Sequence, residues 1–193
     1  YEIADRDWSS DVCSSDLIFG VSLLAFLTAL GGGIARDVIV DKIPYSMQDF
    51  SLCLIVLATI SVSLLLKLHK RAEIEQKLIF VVSDAIGLSA FSLSGALVAL
   101  DAGLNAFGVC VLALLTAVGG GMIRDILVNE VPAILKSEFY ATVAILSGLC
   151  VSALDFFGYL NGYSVSVLFF AAFLLRMAAY FREWHLPKLD GSI

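Results

Sequence analysis

Two glycine triplets, Gly31-Gly32-Gly33 and Gly119-Gly120-Gly121, stand inside otherwise apolar sequence. Each is followed, after two intervening residues, by an Arg-Asp pair: Arg36-Asp37 and Arg124-Asp125. Three consecutive glycines cost a helix about 1 kcal/mol each relative to alanine. Glycine permits both unwinding and close backbone approach. Carbonyls freed by unwinding at 31–33 and 119–121 have the chemistry to replace water around a cation. Neighbouring helical residues diverge by about 100°, so Arg36 need not bridge to Asp37, nor Arg124 to Asp125. Cross-pairing, Arg36 with Asp125 or Arg124 with Asp37, is geometrically open. The competing roles are tight packing of small residues between helices for the triplets and a solvated interfacial pair for each Arg-Asp. A nucleotide loop is excluded: no Gly-Lys-Ser/Thr occurs, and Arg36 and Arg124 stand where a GxGxxG motif needs its third glycine.

Further polar groups lie within apolar runs: Thr28, Asp84, Ser89, Ser92, Ser94, Thr116 and Arg176. Ionisable residues inside a membrane span default to function. Asp84 suits a vestibule attractive to cations, or a plain interfacial cap. Ser92 and Ser94, beside Gly95, suit a narrow lining or bonding back to their own helix. Thr28 and Thr116 gain weight by recurring at equivalent positions. Arg176 is able to snorkel, pair or bar anions. A hydrolase would need a base near a serine, but His69 and His185, the two histidines, both fall at ends of apolar runs. Cys53, Cys110 and Cys150 read as small buried hydrophobes. No metal or cofactor is implied beyond monovalent cations in transit, and no enzyme.

The elements that must hold these residues are membrane helices. Of 193 residues, 60% are apolar and only 16% charged, with mean hydropathy +0.94. This composition excludes a disordered chain and an ordinary cytosolic enzyme. The formal charge of −6 argues against a nucleic-acid partner. The pattern predicts helices at about 18–33, 51–68, 78–100, 106–121, 138–155 and 164–183, each approaching the roughly 20 residues a span needs. The first and fourth end in the glycine triplets. The fold class is therefore an all-α polytopic membrane protein in contact with lipid. The break carrying Lys67, Lys70, Arg71 and Lys77 is the most basic, which places loop 67–77 in the cytoplasm. Counting forward puts 101–105 outside, 124–138 inside, 155–163 outside, and the C-terminus, with Arg182, Trp184 and Lys188, inside. An inner, multi-pass cell-membrane location follows.

Residues 1–17 do not fit this pattern. They carry five acids (Glu2, Asp5, Asp7, Asp11, Asp16) and one base (Arg6) against a continuous apolar run. The stretch from Asp7 to Leu17 resembles the in-frame translation of a sequencing-library adapter. It is expected to be an artefact, unable to serve as a span. Without it the chain holds 11 bases and 13 acids, a net charge of −2.

The chain also repeats. Residues Phe19 to Pro44 align with Phe107 to Pro132 at a fixed offset of 88, with 15 identities in 26 positions. The deduced topology runs the two copies in opposite directions, and inverted repeats mark transport proteins with the pathway at the repeat interface. The units are 18–68 (two of three helices), 78–155 (three helices) and an appended helix at 164–183. The first unit's own first helix, the counterpart of 81–100, is expected ahead of residue 18, and the chain as it stands is expected to be defective without it.

With GGGIARD and GGGMIRD in an inverted repeat, the chain from about Ile18 to Pro187 resembles the prokaryotic trimeric intracellular cation channels, which also carry a glycine-transporter domain label. The resemblance implies a homotrimer with a pore in each subunit, passing K+ and Na+ and bordered by glycine-kinked helices, here 18–33 and 106–121. The expected pathway residues are Thr28, Gly31, Gly32, Gly33, Arg36, Asp37, Asp84, Ser94, Thr116, Gly119, Gly120, Gly121, Arg124 and Asp125. A secondary carrier of a small solute such as glycine is the alternative.

Overall fold

The computed structural model describes residues 14–65, 73–129, 131–132 and 138–182. Among the described residues seven helices succeed one another, α1 (Ser14–Ile39), α2 (Tyr45–Gln48), α3 (Ser51–Leu65), α4 (Glu73–Asp101), α5 (Ala106–Leu127), α6 (Glu138–Phe156) and α7 (Gly162–Phe181), and no strand occurs. Among the described residues, four stretches are long and apolar enough to cross a bilayer: Phe19–Ile39, Leu78–Asp101, Ala106–Leu127 and Gly162–Phe181. The other two expected spans, 51–68 and 138–155, are represented among the described residues by the shorter apolar stretches Ser51–Val62 and Tyr140–Phe156. Residues 67–72 of the basic loop, residues 1–13 and the C-terminus from 183 lie outside the described residues. Residues 73–77 already belong to α4.

The helices carrying the triplets do not stop at them. α1 runs on through Gly31–Gly33 to Ile39, and α5 runs on through Gly119–Gly121 to Leu127. The expected helix ends at 33 and 121, and the unwinding they implied, are corrected accordingly. In hydrocarbon an unsatisfied backbone group costs several kcal/mol, more than the propensity penalty of one glycine. The true ends come at equivalent places. Asp41 (φ 55°) and Asn129 (φ 58°), offset by 88, both adopt the left-handed conformation that closes a helix. Their amides reach back to Val38 O (3.2 Å) and Ile126 O (3.0 Å) respectively. At its other end α1 begins at Ser14 rather than 18. Asn105 caps α5 by accepting from the Gly108 amide, and Asn161 with Ser164 forms a capping box on α7.

α5 is the central helix, and three other helices approach it through glycines. A Cβ on Gly32 of α1 would lie 2.4 Å from Thr116 O, one on Gly95 of α4 2.7 Å from Leu112 O, and one on Gly148 of α6 2.9 Å from the Cys110 Cα. Only a bare backbone permits such contact. Several polar groups join an apolar interior, and large apolar side chains cover the outside. Ser89, Ser92, Thr116, Ser147, Asp37 and Asp125 are buried, whereas Phe19, Leu54, Ile55, Val167, Phe170 and Leu174 face outward. Lipid, not water, is the solvent this surface fits.

Candidate functional site

The site is organised around the crossing of α1 and α5. A Cβ on Gly32 would meet Thr116 O, and a Cβ on Gly120 would meet Thr28 O at 2.0 Å. The offset of 88 pairs Thr28 with Thr116 and Gly32 with Gly120, so the two contacts are images of each other. They also run in antiparallel register, since 28 lies against 120 and 32 against 116. The inverted repeat thus meets itself at a local two-fold axis between the middle glycines. Gly119 shares the seam, with its Cβ position 3.2 Å from the Gly32 Cα. A Cβ on Gly31 would come 2.8 Å from Ile123 Cδ1. Gly33 faces open space. The Thr28 and Thr116 hydroxyls bond back to Leu24 O and Leu112 O, both at 2.7 Å. What these two residues offer the crossing is their carbonyl groups.

An antiparallel crossing sends the residues beyond the glycines to opposite sides. Arg36 and Arg124 each lie four residues past the middle glycine, about 6 Å along their helices, and they point toward opposite ends of the bundle. The cross-repeat pairs, Arg36 with Asp125 and Arg124 with Asp37, are therefore not formed. Each arginine instead folds back on its own neighbour. Arg36 Nε donates to Asp37 Oδ1 at 2.7 Å, and Arg124 Nε donates to Asp125 Oδ1 at 2.9 Å, with Nη2 at 2.8 Å. The first pair is not solvated: its side chains are 12% and 7% exposed.

Beyond these pairs the two ends differ. At the first, Arg36 Nη1 donates to Ser94 Oγ of α4 at 2.6 Å, and Asp37 Oδ2 accepts from the Tyr45 amide at 3.0 Å. These bonds tie α1 to α4 and to the start of α2. Their residues line a cavity of about 360 Å³ with Gly33, Leu52 and Phe91. Lys42, just past α1, pairs with Asp101 at the end of α4, so both helices end on this side. At the other end, Tyr140 of α6 donates its hydroxyl to Asp84 Oδ1 at 3.1 Å. The Arg176 guanidinium lies over the Tyr140 ring, 4.9 Å from its centroid, and that of Arg124 over Phe80 at 5.2 Å. Gly121 faces this cluster, its Cβ position 3.9 Å from the Tyr140 hydroxyl and 4.0 Å from Arg124 Nη2.

The expected site residues thus fall into three groups. Thr28, Gly31, Gly32, Thr116, Gly119 and Gly120 make the crossing. Gly33, Arg36, Asp37 and Ser94 stand on one side of it. Asp84, Gly121, Arg124 and Asp125 stand on the other. Tyr45 and Tyr140 were not singled out by sequence reasoning.

Apolar outer faces, largely buried Arg-Asp pairs and two antiparallel copies of one helical motif define a multi-pass membrane protein built on an inverted repeat. A family model described as "Glycine transporter" matches residues 14–67 and 81–155, and the chain belongs to that family. The UPF0126 membrane protein YvgT of Bacillus subtilis (strain 168) is 37% identical over 171 residues, 89% of this chain and 83% of the relative. The UPF0126 inner membrane protein YadS of Escherichia coli (strain K12) is 32% identical over 171 residues, 87% of this chain and 80% of the relative. Among solved structures, a prokaryotic TRIC channel in 0.5 M KCl matches with TM-score 0.79 and 36% identity, covering 88% of this chain and 85% of that one. The TRIC trimeric intracellular cation channel orthologue from Rhodobacter sphaeroides matches with TM-score 0.78 and 32% identity, covering 86% and 85%.

Proposed function

We propose that this protein is a monovalent cation channel, passing K+ and Na+ through a pore within each subunit of a homotrimer. The observation that carries the reading is the glycine crossing of α1 and α5, flanked on each side by a largely buried Arg-Asp pair. Solved TRIC channels at 36% and 32% identity support it, the second of them a trimeric intracellular cation channel orthologue. The pathway runs past the residues named above. The carboxylates of Asp37, Asp84 and Asp125 draw cations toward the crossing. Arg36 and Arg124 hold two of those carboxylates in place and limit the net negative charge. The Thr28 and Thr116 carbonyls mark the narrowest level, each in contact with a glycine of the facing helix. The protein lies in the inner membrane with loop 67–77 and the C-terminus cytoplasmic, as the basic residues imply.

The test is cation flux from liposomes reconstituted with purified protein, beside uptake of radiolabelled glycine into the same vesicles. Potassium release without saturable glycine uptake supports the channel. Saturable glycine uptake without conductance would instead establish the carrier that the family description names.

A further inference from the structure

The two halves share Gly33 with Gly121, Arg36 with Arg124 and Asp37 with Asp125, but at the same offset Leu52, Ile55 and Val56 of the facing helix α3 stand where α6 has Tyr140, Val143 and Ala144. Leu52 of α3 is the counterpart of Tyr140 of α6. On the leucine side stands the cavity of about 360 Å³. On the tyrosine side the residues at that offset, Ala117, Val118, Tyr140, Val143 and Ala144, form one buried cluster with Leu88 and Ala172. Tyr140 is 5% exposed. Its hydroxyl is bonded to Asp84 of α4, its ring is covered by Arg176 of α7, and the hydroxyl lies 3.9 Å from the Cβ position of Gly121. The tyrosine is thus buried where leucine lines a cavity, and bonds one of the carboxylate oxygens on that side.

The geometry points to Tyr140 as a latch: a positioning residue that closes the pathway at the Asp84 end by bonding Asp84 and standing beside Gly121, with Arg176 clamping its ring. This rests on the channel reading above. The bond from Tyr140 takes one acceptor position of Asp84 Oδ1 and holds the carboxylate against α6, turned from a passing cation. Rotation of Tyr140 away from Asp84 frees the carboxylate and empties the space beside Gly121 together. The clamp comes from α7, the helix with no counterpart in the repeat, so among the described residues the latch stands at the Asp84 end. Leucine at position 52 makes no equivalent bond.

The experiment compares wild type with Tyr140→Phe, which keeps the packed ring and removes the hydroxyl, and with Arg176→Met, which removes the clamp. Single-channel recording in planar bilayers reads open probability and unitary conductance. In parallel, a single cysteine introduced as Gly121→Cys, with the other cysteines replaced, reports access through its rate of reaction with a cationic methanethiosulfonate. Losing one hydrogen bond is expected to raise open probability and reaction rate about three- to tenfold in Tyr140→Phe, with unitary conductance unchanged. Arg176→Met is expected to move both in the same direction. A conducting wild type whose open probability and thiol access at position 121 are unmoved by Tyr140→Phe overturns the latch and leaves the channel standing. A silent wild type in which Tyr140→Phe still speeds the thiol reaction overturns the channel and retains the latch. A silent wild type with unchanged access overturns both.

Discussion

Replacing Gly120 by alanine adds one methyl group at the tightest point of the bundle. Its Cβ would lie 2.0 Å from Thr28 O and 3.1 Å from the Thr28 carbonyl carbon. Real Cβ contacts are essentially never closer than 3.0 Å, so α1 and α5 must part by about 1 Å. Both obstructing atoms are backbone, and no rotamer change relieves them. Overpacking of this kind costs about 1–3 kcal/mol, and the upper part of that range applies because the strain falls on two whole helices. Alanine returns up to about 1 kcal/mol in helix propensity, leaving a net loss of about 2 kcal/mol. For a chain of this size that lowers the melting temperature by roughly 4–8 °C. Gly33→Ala is the matched control, since nothing lies within 4 Å of its Cβ position. It should keep the propensity gain and melt at the wild-type temperature or slightly above. The assay is thermal unfolding in detergent, followed by intrinsic fluorescence, with the oligomer monitored by size-exclusion chromatography. Equal losses for Gly33→Ala and Gly120→Ala, or no loss for either, would refute the crossing as the reason for the triplets.

Three further outcomes rest on the same contacts. Arg36→Leu leaves the buried Asp37 carboxylate without its ion pair and should cost about 3–5 kcal/mol, whereas Arg36→Leu with Asp37→Leu should lie closer to wild type; thermal unfolding of the three proteins checks this, and equal loss in single and double variants refutes it. Lys42→Ala removes a pair whose side chains are 43% and 74% exposed, so its effect should stay below about 1 kcal/mol and vanish in high salt; a melt at two salt concentrations decides it. Cysteines placed at Lys70 and Lys188 should resist a membrane-impermeant thiol reagent applied from the periplasmic side and react once the membrane is opened; labelling in intact cells at either position contradicts the orientation.

The structure changes what the glycines mean. In the sequence they read as breaks, because three glycines in a row are poor helix formers. In the fold they are the seam on which one repeat crosses the other. The energetic comparison decides between these readings. Breaking the ladder in an apolar medium leaves several groups unsatisfied, while keeping it forfeits about 1 kcal/mol per glycine, and the packing gained at the crossing offsets that. A leucine at Gly32 or Gly120 is therefore expected to disrupt assembly together with conduction.

Much of this protein was determined by local chemistry that a linear sequence displays. Apolar runs near membrane length, the register of the 88-residue repeat, and the Arg-Asp pairs at equivalent positions needed no coordinates. The left-handed residues closing α1 and α5, Asp41 and Asn129, also fall on equivalent positions, though their φ values came only with the fold. Tertiary structure alone decided how the copies meet. Sequence spacing left Arg36 free to pair with Asp37 or Asp125. The antiparallel crossing at Gly32 and Gly120 removed the second choice by sending the arginines to opposite ends. It likewise decided that Thr28 and Thr116 present carbonyls rather than hydroxyls, since each hydroxyl is satisfied within its own helix. Tyr140 became visible only when α6 brought it against Asp84, 56 residues away along the chain. The division has one physical cause: helix formation and membrane insertion depend on residues a few positions apart, whereas the partners of a buried polar group depend on which helices are pressed together.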